Sequence, residues 1–94
     1  MLEYLKEHIL DEIDDANDYM TKAVEHKGTN CGETFRMLSE AETQHANRLY
    51  HIFSKQEKPA DMPEAKYSEM LKSILDKYST GMAKYESLKK LYWS

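Results

Sequence analysis

Apolar residues recur every three to four positions along most of the chain, the spacing of helices that bury one face and wet the other. In the first segment Leu5, Ile9, Ala16, Tyr19, Met20 and Ala23 form one stripe, and in the second Cys31, Phe35, Leu38, Ala46, Leu49 and Phe53 form another. The third stripe runs through Tyr67, Met70, Leu71, Ile74, Tyr78, Met82, Tyr85, Leu88 and Tyr92. Gly28 suits the position just past the end of the first helix, where a left-handed residue is favoured. Asn30 followed by Glu33 reads as a capping box that starts the second. The polar stretch SKQEKPAD, from Ser54 to Asp61, is a turn. Asp61 followed by Glu64, with Pro63 in the first turn, opens the third. The pattern predicts an all-α chain forming one domain over residues 1–94, with helices at about 2–27, 31–55 and 62–92.

Two acids interrupt the apolar stripes. Turning each residue by about 100° places Glu12 within the first stripe and Glu42 near the midline of the second, with His45 beside it. Both acids are therefore expected to face the core. An unpaired buried carboxylate costs several kcal/mol or takes up a proton, so two of them call for cations or a shared proton. The i, i+3 spacing aims Glu42 and His45 in nearly the same direction, so both can reach one metal ion. With the turn's midpoint near Thr29, Glu12 stands opposite Ala46, one residue from the level of His45 and four from that of Glu42. That offset of roughly 1.5 to 6 Å is within a glutamate's reach.

The third stripe contains no central acid and no histidine. The chain thus offers two carboxylates and one imidazole, too few donors to hold two metal ions. A two-fold axis near the first two helices would bring four glutamates and two histidines together in a four-helix core.

From Glu12 to Phe53 the chain resembles the ferritin-like, rubrerythrin-type helical pair. The residues that carry the likeness are Glu12, Ala16, Tyr19 and Ala23 on the first helix. On the second they are Phe35, Ala41, Glu42, His45, Ala46 and Leu49. Members of that family usually carry two such pairs in one chain. The single pair here is closer to the short, encapsulin-associated ferritins, which complete their site across a subunit boundary, although no glycine-containing docking tail follows Tyr92. The resemblance implies an antiparallel hairpin plus a third helix, completed to a four-helix bundle in a homodimer or higher homo-oligomer. It implies a non-haem di-iron centre, with two irons per paired site, that oxidises ferrous iron with dioxygen or peroxide. Glu12 and His45 would be terminal metal ligands and Glu42 a bridging one. Tyr19 would donate a hydrogen bond from just outside the ligands, and Asp15 would orient the histidine.

Composition narrows the alternatives. The 94 residues, with 40% hydrophobic content, carry 13 basic and 17 acidic side chains for a net charge of -4. Such a chain lacks the basic face that would draw nucleic acid or anionic lipid. No run approaches the roughly 18 apolar residues of a membrane span, and acids interrupt the N-terminal segment where a signal peptide stays apolar. The single cysteine, Cys31, falls on the core side, and with no second thiol for an internal disulfide a cytoplasmic setting is expected. His26 and His51 read as surface residues. His8 lies one turn before Glu12 near the same face, where a solvated histidine is the commoner outcome. Ligand type leaves zinc or manganese open in place of iron. A helical structural or interaction protein, with a structural metal or none, also fits the same residues.

Overall fold

The computed structural model describes residues 1–94, which form three helices and no strand. α1 spans Leu2–Glu25, α2 Asn30–Ser54 and α3 Glu64–Trp93. α1 and α2 make an antiparallel hairpin, and α3 runs back along α1 in a rod 52 × 17 × 15 Å. No helix is long and apolar enough to cross a membrane.

α1 stops at Glu25, two residues before the expected end. His26 caps it, and Gly28 turns the chain with φ 86°, a left-handed conformation that glycine adopts without a Cβ penalty. The cap of α2 is Thr29 rather than Asn30. Its hydroxyl accepts the Gly32 N–H at 3.0 Å and donates to the His26 carbonyl at 2.6 Å, so turn and helix start are fixed by one side chain. Glu33 does not close a capping box, because its carboxylate is held by Arg36 and Tyr92. α3 begins at Glu64 behind Pro63, with no side-chain cap from Asp61. The preceding loop is instead closed by Lys58, which donates to the carbonyls of Pro59 and Met62, and by Tyr67, which donates to the Gln56 carbonyl.

Two apolar clusters fill the rod. One gathers Leu5, Ile9, Ile13, Phe53, Met70 and Ile74, and the other Ala16, Met20, Ala23, Tyr85 and Tyr92. Between them α3 approaches α1 closely at Gly81, where an added Cβ would overlap Ile13. There the Asn17 amide donates to the Gly81 carbonyl at 3.1 Å, and α3 continues through glycine without a break. α3 reaches α2 through long side chains. Tyr78 donates to Asn47 and stacks on Tyr50, and Tyr92 donates to Glu33 at 2.7 Å.

The buried line of α2 differs from the expected stripe. It runs through Gly32, Ser39, Thr43, Ala46 and Phe53, because small residues let α2 sit close against Ala16 and Ala23. Ser39, fully buried, donates to the Ala16 carbonyl at 2.5 Å. The bulkier half of the stripe lies to one side: Cys31 is exposed, Leu38 is 42% exposed, and Leu49 is only partly buried.

Candidate metal centre

The Ser39–Ala16 contact sets the register of the hairpin. With those two residues level, Glu12 stands opposite Thr43, between Glu42 and His45, rather than opposite Ala46. The tight turn at Gly28 accounts for the difference, since it moves the midpoint toward Lys27.

The result is a cluster in which Glu12, Glu42 and His45 each offer a donor atom within 4.8 Å of the others. His45 Nδ1 lies 3.6 Å from a Glu12 oxygen and 3.8 Å from a Glu42 oxygen, too long for good hydrogen bonds.

Neither acid reaches the core. The Glu12 and Glu42 side chains are 23% and 22% exposed, and that of His45 is 52% exposed. They line the edge of the hairpin, since the small residues of α2 already occupy the space between the helices. On a helical wheel Arg36, Asn47 and Tyr50, which touch α3, lie on one side of the buried line of α2. Glu42 and His45 lie on the other side. The cluster therefore opens on the face of the hairpin turned away from α3.

One atom marks the site as electrostatically unfinished. Glu12 Oε2 is buried yet has no hydrogen-bond partner. Beside it the Glu42 carboxyl is pushed up to about 7, first because a proton on it is favoured by the neighbouring Glu12 carboxylate as acceptor. Burial, the charge of Glu12 and then that of Asp15 add to the rise. Asp15 is itself raised, first by loss of solvent and then by Glu12 and its acidic neighbours on α1. An orphaned carboxylate oxygen, a carboxyl that keeps its proton near neutrality and an imidazole nitrogen pointing at both form a donor set that suits a divalent cation.

The surrounding residues take other roles. The Tyr19 hydroxyl makes no hydrogen bond to the cluster, and its ring stacks on Phe35 at 6.2 Å. Asp15 makes no hydrogen bond to His45. His8 stacks on Tyr4 at 4.2 Å and stands outside the group of three donors. Thr29 and Ser39 were not recognised as determinants of the site. A threonine before Asn-Cys-Gly is a detectable cap signal, whereas a buried serine carries none until its partner is known.

A family model described as Rubrerythrin matches residues 3–92. The match does not extend to the narrower likeness with encapsulated ferritins. No curated protein and no solved structure matches the chain.

Proposed function

The chain belongs to the rubrerythrin family, and from that premise we propose that it is a non-haem di-iron protein of ferroxidase type whose site is shared between two subunits. The observation that carries the reading is the cluster of Glu12, Glu42 and His45, with its partnerless carboxylate oxygen, on the open face of the hairpin. Iron is the metal that the family favours, and the ligand types fit it.

Each chain's residues have a definite task. Glu12 and Glu42 supply two negative charges, and Glu42 gives up the proton it holds to about 7 before it coordinates. Glu12, Glu42 and His45 would hold the metal together with the same residues of a second copy. His45 binds as the neutral imidazole. One chain presents two carboxylates and one imidazole, so a second copy is needed for two ions, and its hairpin would cover His45, which one chain leaves 52% exposed. When bound, a pair of ferrous ions supplies two electrons, enough to reduce peroxide to two waters or dioxygen to peroxide.

The test is the rate of ferrous oxidation by dioxygen and by peroxide in wild type, Glu42→Ala and His45→Ala. The proposal expects oxidation by wild type well above the buffer rate and a return to that rate in both variants. Tightly bound zinc or manganese with no ferrous oxidation under either oxidant would favour a structural metal instead.

A further inference from the structure

The chain has seven tyrosines, and only two of them have another tyrosine as their ring neighbour. Tyr50 of α2 and Tyr78 of α3 lie face to face, with ring centroids 4.3 Å apart and planes 24° from parallel. Aromatic pairs more often stand roughly 4.5 to 7 Å apart, so this contact is a close one. The Tyr78 hydroxyl donates to Asn47 on α2, which holds the phenol over its partner. Both rings are half-buried, so solvent reaches the pair, while Met70 and Ile74 anchor α3 in the core beside it. Burial, and then the neighbouring Tyr50, raise the Tyr78 phenol above its ordinary value of 10, so it keeps its proton at neutral pH. The pair stands apart from the metal donors, which lie on the other side of the buried line of α2.

We propose that Tyr50 and Tyr78 are an oxidative modification site, at which a one-electron oxidant formed from a peroxide joins the two rings and ties α3 covalently to α2. Each phenol gives up one electron and one proton, and the two radicals couple through a new carbon-carbon bond between ring carbons ortho to the hydroxyls. Each of those carbons then passes its hydrogen to its own oxygen, which restores both phenols. The two electrons and two protons reduce one peroxide bond, hydrogen peroxide leaving as two waters, and the chain is lighter by two hydrogen atoms. Bonding the ortho carbons requires the rings to slip from stacked to edge-on, a side-chain movement that their half-buried position leaves open. Coupling is favoured here because the fold already holds the two phenols together. Tyr4 lies on His8, Tyr19 on Phe35 and Tyr92 on Trp93, so a radical at those positions has no second phenol to meet. The consequence is a lock. α3 reaches α2 through long side chains, and the new bond closes the stretch of chain from Tyr50 to Tyr78, which restricts the unfolded state.

Metal-free protein tests this site apart from the reading of the metal cluster. Dilute wild type, mixed with an equal amount of heavy-nitrogen-labelled chain, is illuminated with a ruthenium polypyridyl complex and persulfate, a peroxide that takes up the electrons. Trypsin, cutting after Arg48, Lys55, Lys77 and Lys84, then releases peptides 49–55 and 78–84. The proposal expects these two peptides joined as the main tyrosine cross-link, lighter than their sum by two hydrogen atoms, fluorescent as dityrosine and carrying one label in both halves. Tyr50→Phe and Tyr78→Phe should each abolish the joined product, whereas Tyr67→Phe leaves it at the wild-type yield. Circular dichroism checks that all three remain helical. The purified cross-linked chain should unfold at a higher denaturant midpoint than the untreated one. Oxidation that leaves the two peptides unjoined, joins them mainly with mixed labels, or spreads cross-links evenly over the other tyrosines overturns the site. An unchanged midpoint in the cross-linked chain overturns the lock.

Discussion

Glu33 and Glu42 lie on the same helix, nine residues apart, and their surroundings push them in opposite directions. Glu33 is held down to about 2, first by hydrogen bonds from Arg36 and then by the Tyr92 hydroxyl, which burial only partly opposes. Arg36 also reaches Glu40 at 2.7 Å and lies 5.3 Å over the Trp93 ring. Both carboxylates there share the Arg36 guanidinium. Glu42 is raised to about 7 because its nearest neighbour is another acid, and the facing imidazole stands 3.8 Å away. The first set is an ion-pair network on α2, tied to α3 by the Tyr92 hydroxyl and the Trp93 ring, whereas in the second two carboxylates face each other. The pairing, rather than the residue type, separates a structural glutamate from one proposed to bind metal.

The sharpest contrast between the two regions is metal content. Glu42→Ala is expected to take bound iron from about one ion per chain to near none, while Glu33→Ala leaves it unchanged, as elemental analysis after ferrous loading would read. Equal losses in both variants would erase the distinction.

Stability of the metal-free protein should follow with opposite signs. The folded Glu42 carboxyl, at about 7, lies above its ordinary value of 4.5, so the folded state holds the extra proton between those limits. Its contribution is present below about 4.5 and is lost as pH rises through about 7. Glu33, at about 2, contributes above 4.5 and loses that contribution as pH falls toward about 2. Denaturant midpoints of Glu42→Gln and Glu33→Gln against wild type across that range separate the two slopes. Metal affinity should rise with pH up to about 7, because the ion displaces the Glu42 proton.

At pH 8 without metal, Glu42→Gln should stabilise the chain by about 1 kcal/mol, the usual scale for a single substitution, by removing one of two facing like charges. Glu33→Gln should destabilise it, by a smaller amount because its partners are screened by solvent. A denaturant series at fixed pH settles the sign. Smallest of all, Tyr92→Phe should lower the melting temperature slightly at neutral pH. That effect should shrink near pH 2, where Glu33 becomes neutral.

The three helices were legible because their periodicity is local. Glu12, Glu42 and His45 stood out because acids and an imidazole within apolar stripes need an explanation that the sequence itself poses. Glu33 gave no such sign. The sequence reads it as the partner of Asn30 in a capping box, because the hydroxyl that holds it instead comes from Tyr92, 59 residues away. The buried line of α2 was misplaced for a related reason. Ser39 and Thr43 are polar by composition, and only the close approach of α1, with the Ala16 carbonyl as acceptor, makes them interior residues. Cys31 and Leu38 then fall outside the hairpin's interior, and Leu49 lies half-buried at its edge. The likeness of Tyr19 to a family position gave its place on the helix, but its ring lies on Phe35.

The central claim is that the open cluster takes metal by joining two copies of the chain. Sedimentation of the wild-type protein, before and after anaerobic ferrous loading, with iron measured on the same fractions, tests it most directly. The account predicts a species of at least twice the chain mass carrying about one iron per chain, or two per paired site. A metal-free monomer after loading would contradict it.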